Sequence, residues 1–192
     1  KKVPGGSEKR KLYEICRESF LDAGYVEIGM DHFALPSDSL AVAAACGALH
    51  RNFMGYTDMK TDVLIGLGVS SISQSPGCFH QNEKAVEPWR QAILEGRLAT
   101  TRGHVLTDED RRRRCQILDL MTRFEVRFES EEQQRRVTAI LQPLLEDELL
   151  VVEDGMLRLT PDGRPFMRIA CTAFDERLRA KSPETRTFSQ TV

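Results

Sequence analysis

The residues best suited to chemistry lie in one stretch, 25–72. Within it Asp31 and His32 follow an apolar segment, and His50 and Arg51 follow a predicted short helix. A histidine exchanges protons near neutral pH, and an arginine binds anions through charge-assisted hydrogen bonds. The stretch therefore predicts a site for an anionic ligand. A local Asp31–His32 pair, or a solvated loop around Arg51, would explain the same residues without a ligand.

Short helices and strands must position these side chains. The pattern predicts a helix over 8–23 with Ser7 as N-cap, then a strand over 25–30. The continuously apolar run 63–69 is typical of a buried parallel strand. Helices alternating with strands indicate an α/β fold, in which functional side chains follow the carboxyl ends of strands. Residues 50–53 are then expected in a loop.

Gly66 and Gly68 interrupt the apolar run. Glycine inside a strand pattern predicts that another backbone, or a ligand, approaches closely. The pair is not a dinucleotide-binding fingerprint, because a third glycine and a following helix are missing.

The last third of the chain has a different pattern. Thr107 and Ser130 are predicted N-caps, residues 149–159 predict a β-hairpin turning at Asp154-Gly155, and Thr160-Pro161 starts a final helix. Helix, hairpin and helix are typical of a winged-helix module, whose common ligand is DNA. Several acidic residues around the hairpin would repel phosphate, so a packing role is favoured.

Composition narrows the class of protein. The chain has 192 residues, a net charge of −2 and 41% hydrophobic residues, as in an ordinary water-soluble globular protein. No apolar run reaches membrane-spanning length. The five cysteines are too widely spaced for a metal motif and fit reduced thiols in a cytoplasmic protein; they are Cys16, Cys46, Cys78, Cys115 and Cys171.

The order of the motifs is specific. From residue 25 to 192 the chain resembles the C-terminal portion of the oxygen-independent coproporphyrinogen III oxidases (coproporphyrinogen dehydrogenases). The motifs that carry the resemblance are IGMDHFA at 28–34, LHRNF at 49–53, GYT at 55–57, GxGVSxIS at 66–73, QN at 81–82, RG at 102–103, LT at 106–107 and FS at 188–189.

The resemblance implies a fold and a reaction. The fold would be α/β, or α+β within this chain: the end of a partial βα barrel (1–82), a connecting helix and linker (83–106), and a helical C-terminal domain with a winged-helix-like hairpin (107–192). The family belongs to the radical S-adenosylmethionine enzymes of haem biosynthesis. It uses S-adenosylmethionine and a 4Fe–4S cluster to decarboxylate two propionates of coproporphyrinogen III oxidatively to vinyl groups, which yields protoporphyrinogen IX.

The resemblance also assigns residues. Phe53, Met54 and Ile72 match family positions at a second S-adenosylmethionine site, although the family commonly has glutamine where Met54 stands, and a thioether cannot replace an amide hydrogen bond. His32, His50 and Arg51 are inferred as substrate-binding, because the substrate carries four carboxylates. The family's cluster-binding cysteines are absent from this sequence, so it holds no predicted catalytic residue or metal ligand and is expected to be inactive alone.

Other interpretations remain. The chain could be a haem-chaperone-like relative, with His32, His50, His80 or Cys78 as axial ligands, or a winged-helix nucleic-acid-binding module. The expected partners of the oxidase are coproporphyrinogen III, an electron acceptor that the sequence does not identify and the N-terminal half of the barrel. A monomer is expected, without a nucleic-acid or membrane partner.

Overall fold

The computed structural model describes residues 5–181. The predicted motif at 188–189 lies outside the described residues. The first part of the chain contains three helices and seven strands: α1 Gly6–Asp22, β1 Val26–Gly29, β2 His32–Ala34, α2 Ser39–Ala45, β3 His50–Asn52, β4 Gly55–Thr57, β5 Ile72–Gln74, β6 Cys78–Asn82, α3 Val86–Leu94 and β7 Thr100–Val105.

The remainder of the described chain is mainly helical. A long helix comes first, and three further strands lie among shorter helices. In order these are α4 Asp108–Arg123, β8 Glu125–Arg127, α5 Glu131–Ile140, α6 Gln142–Glu146, β9 Leu150–Glu153, β10 Met156–Leu159, a 3-10 helix Arg164–Phe166, α7 Met167–Phe174 and α8 Glu176–Lys181.

The fold is mixed α and β, as predicted, but every strand pairing in residues 5–181 is antiparallel. The expected parallel arrangement is therefore wrong for these strands. β1 pairs with β2 and β3 with β4, across turns far too short for the crossover that parallel strands need. Residues 50–53, expected in a loop, form β3 and its turn. The partial barrel of a longer protein stays a prediction.

The apolar run 63–69 does not form the predicted buried strand. Only Leu64 makes a bridge, to Gln74, and Leu67 is 87% exposed. The close approach predicted at Gly66 is to the chain itself, since a Cβ there would lie 2.7 Å from the carbonyl oxygen of Ile72. The side-chain amide of Asn82 donates to the carbonyls of Gly66 (3.4 Å) and Gly68 (3.0 Å) and so stabilises the loop.

The main core lies in the last third of the chain. Leu120 of α4 packs there with buried side chains from α5, β10 and α7, among them Val137, Leu157 and Phe174. A smaller core around Ile28 of β1 joins the first hairpin to α2. Tyr56 packs against the smaller core, whereas Met30 and Met121 pack against the main one. The two cores therefore meet beside α4.

The helix starts predicted from capping residues are correct for two helices and wrong for two others. Thr107 forms the predicted N-cap of α4, in a reciprocal capping box with Asp110, and Ser130 caps α5. Ser7 is not a cap, because α1 begins one residue earlier, after Gly5. The final helix does not begin at Thr160. A turn and the 3-10 helix come first, and α7 follows.

The predicted helix, hairpin and helix of the last third are present, with β8, β10 and β9 in one sheet. Their assignment as a winged helix stays a prediction, as does the division into three units. Strand β7, which falls in the predicted linker, pairs with β6. Within residues 5–181, no helix is both long enough and apolar enough to span a bilayer.

Candidate functional site

Tyr56 fixes the β3–β4 hairpin against α4. Its hydroxyl donates a 2.8 Å hydrogen bond to the carbonyl of Met121, near the end of that helix. The hydroxyl reaches this carbonyl past Gly29, where a Cβ would lie only 2.3 Å from the phenol oxygen. A glycine is therefore required at position 29. Burial raises the pKa of Tyr56 well above its usual range, although nearby Arg51 acts in the opposite direction, so the hydroxyl remains a donor.

Arg51 lies over the ring of Tyr56, with 4.6 Å between the guanidinium carbon and the ring centroid. Its Nη1 atom is buried and has no hydrogen-bond partner among the described residues. A buried donor without an acceptor is costly. This nitrogen is enclosed by protein, so the rest of the Arg51 side chain is the part that can meet a ligand.

Arg51 opens into a cavity of about 680 Å³. The hairpin, the β5–β6–β7 sheet, α4 and α7 surround it. Phe53 and Phe79 form one wall, with ring centroids 5.1 Å apart and planes at 85°. The volume and the largely apolar wall are typical of small-molecule sites. Its apolar lining side chains are Met30, Phe53, Phe79, Leu106, Ile117, Leu118, Met121, Ile169 and Leu178.

The charged lining of this cavity is mostly basic. It comprises five arginines and two aspartates, and His104 lies beside them: Arg51, Arg113, Arg114, Arg168, Arg177, Asp110 and Asp175. Some of these cations are already neutralised. Arg113 pairs with Glu109 and Glu176, and Arg177 binds Asp110 at 2.6 Å. The cavity therefore favours an anionic ligand.

Asp110 anchors the rim of the cavity at the start of α4. Hydrogen bonds, first from Arg177 and then from the backbone and side chain of Thr107, hold its pKa well below the usual range. His104 lies 3.0 Å from the same carboxylate. Asp110 therefore stays ionised and serves the local structure.

A second cavity, of about 420 Å³, lies beside the first. His50 and Lys60 line it together with arginines of α4, and Arg114 and Leu118 contribute to both cavities. Burial lowers the pKa of His50, and the positive charges of Arg114 and Lys60 lower it further. His50 is therefore neutral at pH 7, a weaker partner for a carboxylate than an arginine.

The structure separates the residues predicted from sequence. Arg51 and Phe53 line the first cavity, whereas His50 lines the second. Ile72 lines neither cavity; it lies on the same sheet face as Gln74, which lines the first. Met54 is 85% exposed in the hairpin turn.

His32 is among the lining residues of neither cavity described here. It pairs with Asp31 at 2.9 Å and contacts the Tyr56 ring edge-on at 5.1 Å. The local Asp31–His32 pair considered from sequence is therefore present.

Sequence reasoning missed the contribution of α4. The run Arg111–Arg114 faces both cavities: Arg113 lines the first, Arg111 lines the second, and Arg114 lines both. The sequence of this arginine run does not indicate that it faces a cavity. Phe79 lines the first cavity as well, which nothing in the sequence indicates beyond its aromatic type.

The described residues do not fit a 4Fe–4S cluster. Within residues 5–181, no group of three or more His, Cys, Asp or Glu side chains could hold a metal ion. Cys16, Cys46 and Cys115 are exposed singly, while burial raises the pKa of Cys171 to about 12 and keeps it a thiol. Of the three residues matched to S-adenosylmethionine, Phe53 lines the first cavity, and Met54 and Ile72 line neither of the two cavities.

Known proteins resemble this chain over part of their length. No family model matches it. It is 41% identical over 182 residues to the oxygen-independent coproporphyrinogen III oxidase of Paracoccus denitrificans, which covers 90% of this chain and 40% of that protein. The Escherichia coli K12 oxidase is 35% identical over 199 residues, covering 99% and 43%. The chain thus spans about two fifths of these curated relatives.

A solved structure agrees. The coproporphyrinogen III oxidase of Escherichia coli, described as a radical SAM enzyme, superposes with a TM-score of 0.81 at 36% identity, covering 91% of this chain and 42% of that one. The resemblance predicted from the motifs is therefore confirmed.

Proposed function

We propose that this chain is the C-terminal portion of an oxygen-independent coproporphyrinogen III oxidase, the kind of protein that it matches in both sequence and structure. The observation that carries the proposal is the agreement of sequence and fold with that enzyme over nine tenths of the chain. The longer protein would decarboxylate two propionates of coproporphyrinogen III oxidatively to vinyl groups. S-adenosylmethionine bound to an iron–sulfur cluster would provide the radical chemistry, and another part of the longer protein would hold that cluster.

In this proposal the chain supplies part of the substrate-side wall. Of the three residues predicted to bind substrate, the geometry supports Arg51, which lines the largely apolar first cavity and makes no ion pair among the described residues. His50 faces the second cavity, and His32 packs on Tyr56. We therefore assign the carboxylate contact to Arg51. The two histidines would not contact the carboxylate but would support the hairpin that carries Arg51.

On the cofactor side, Phe53 and Ile72 would pack against S-adenosylmethionine. Met54 would add only a thioether, and its exposure places it at the edge of any such site. Because the described residues offer no cluster ligands, we expect the chain alone to bind no iron–sulfur cluster and to be inactive.

A chimera tests the proposal. The matching segment of the Escherichia coli oxidase would be replaced by this chain, and the purified chimera assayed anaerobically for CO₂ release and vinyl products from coproporphyrinogen III. We expect turnover by the chimera and none by this chain alone. A chimera that carries its cluster and S-adenosylmethionine but leaves the propionates intact would contradict the proposal.

The haem-carrying alternative has less support. Its candidate ligands were His32, His50, His80 and Cys78, and none of the four lines the larger cavity. A haem site usually needs an axial ligand inside an apolar pocket, and the geometry here does not supply one from those residues.

A further inference from the structure

We infer that Arg51 and Arg114 together form a two-point carboxylate site in the first cavity, a site that takes an apolar ligand bearing at least two carboxylates. The inference deepens the proposed function and rests on it for the identity of the ligand. It adds Arg114, on α4, to Arg51, on β3, and so places the ligand between the hairpin and the main helix.

The two arginines are held differently from their neighbours. Arg113 and Arg177 are bound by acidic side chains. Arg51 lies over Tyr56, and Arg114 lies over Phe79 with 5.1 Å between its guanidinium carbon and the ring centroid. Neither of these two makes an ion pair within the described part of the chain.

A cation–π contact holds a guanidinium over a ring and leaves N–H groups at its edge for hydrogen bonds. Those N–H groups match the two oxygens of a carboxylate. Because Nη1 of Arg51 is enclosed by protein, the other N–H groups of this guanidinium would make the contact. The aromatic contacts therefore orient the two arginines for a ligand and not for each other.

The cavity acids do not compete for these arginines. Asp110 is engaged by Arg177, Thr107 and His104. Asp175 accepts a hydrogen bond from the backbone N–H of Leu178 at 2.9 Å and begins α8. Both carboxylates thus have partners of their own, and an incoming carboxylate would meet the positive charge of Arg51 and Arg114.

The walls define the rest of the ligand. Phe79 carries Arg114 on its ring and meets the edge of Phe53, while Ile117 and Met121 of α4 line the cavity as well. A carboxylate-bearing ligand with a broad apolar body therefore fits better than a small polar anion. Propionate-bearing tetrapyrroles belong to this class.

Fluorescence titration with coproporphyrin III, a stable aromatic porphyrin with four propionates, tests the site on the chain itself. We expect Arg51→Ala and Arg114→Ala each to weaken binding about 10- to 100-fold, the range for losing a charge-assisted hydrogen bond. Arg51→Lys should bind more tightly than Arg51→Ala but more weakly than the wild type, because lysine keeps the charge but lacks the paired N–H donors of a guanidinium.

Two controls make the titration specific. Arg112→Ala removes a charge from the same helix at a residue that pairs with Glu129 at 3.6 Å outside the cavity lining, and should bind like the wild type. The tetramethyl ester of coproporphyrin III keeps the apolar body and loses the charges, so it should bind much more weakly. Circular dichroism melts would confirm that each variant is folded.

The inference fails if the wild-type chain does not bind coproporphyrin III, if the ester binds as tightly as the acid, or if folded Arg51→Ala and Arg114→Ala variants keep wild-type affinity. It fails independently of the proposed reaction. If the chimera is active but the arginine substitutions do not change porphyrin binding, the carboxylate site is contradicted and the oxidase proposal stands. If the chimera is inactive but porphyrin binding depends on the arginines, the oxidase proposal is contradicted and the carboxylate site stands.

Discussion

Asp110 shows how one carboxylate serves both a helix and a cavity rim. It completes the capping box of α4 with Thr107 and binds Arg177 of α8 through two hydrogen bonds, at 2.6 and 3.0 Å. A carboxylate that accepts several hydrogen bonds favours its ionised form. One residue thus connects the start of α4 to the end of the described chain.

The depressed pKa of Asp110 predicts a pH dependence of stability. Its folded pKa lies below the unfolded value of about 4. The stabilisation is therefore complete at neutral pH and is lost as pH falls from about 5 towards the folded pKa. We expect wild type to exceed Asp110→Asn in unfolding free energy at pH 7, and the gap to narrow steadily towards pH 3 in urea titrations.

Asp119 offers a control on the same helix. It is exposed, and its pairing with Arg123 is long, at 3.9 Å. Asp119→Asn should differ little from wild type across the same pH range. A gap for Asp110→Asn that stays constant with pH would show that its charge does not cause the stabilisation.

Among the larger elements, the turn before α7 depends on one glycine. A Cβ on Gly163 would lie 1.8 Å from the carbonyl oxygen of Leu149, and that carbonyl also accepts the backbone N–H of Thr160. The hydrogen-bonded turn from Thr160 to Gly163 therefore packs directly on the backbone of Leu149, before the 3-10 helix and α7 begin.

Gly163→Ala should therefore be strongly destabilising, by about 1–3 kcal/mol or more as backbone atoms shift apart. The loss arises from a clash, since Gly163 has an ordinary φ of −80°. Gly77→Ala is the matched control, because a Cβ there meets only the end of Arg111 at 4.0 Å, and it should be nearly neutral. Thermal melts of the two variants would compare them, and equal melting temperatures would refute the steric account.

Some elements could be predicted from sequence because their signals are local. The start of α4 follows from Thr107 and the acidic first turn, and the β9–β10 hairpin follows from Asp154-Gly155 between apolar runs. The run 63–69 misled because hydrophobicity alone does not show whether a segment is buried. Side chains such as Leu67 remain exposed in the described structure.

Only some of the residues that line the first cavity could be predicted from the sequence. Arg51 and Phe53 belong to a recognisable motif, but Arg114 and Phe79 reach the same cavity from elements far away in sequence. The β3–β4 hairpin meets α4 through Tyr56 and the carbonyl of Met121. A single sequence carries no local signal for such a contact.

At the scale of the whole molecule, a buried carboxylate joins the first hairpin to the last third of the chain. Glu27 of β1 is 3% exposed, and its Oε2 lies 3.5 Å from Arg17 of α1 and 3.6 Å from Arg164 of the 3-10 helix. Its other oxygen is buried without a hydrogen-bond partner among the described residues. The three side chains bring together α1, β1 and the segment before α7.

We expect Glu27→Gln to lower the unfolding free energy by about 1–3 kcal/mol, because it leaves two partly exposed arginines without their shared counter-charge. Glu125→Gln is the control. It breaks an exposed pair with Arg158 at 2.8 Å and should cost at most about 1 kcal/mol. Urea unfolding followed by circular dichroism measures both. If the two variants lose similar stability, Glu27 does not hold these segments together, and apolar packing around α4 must do so instead.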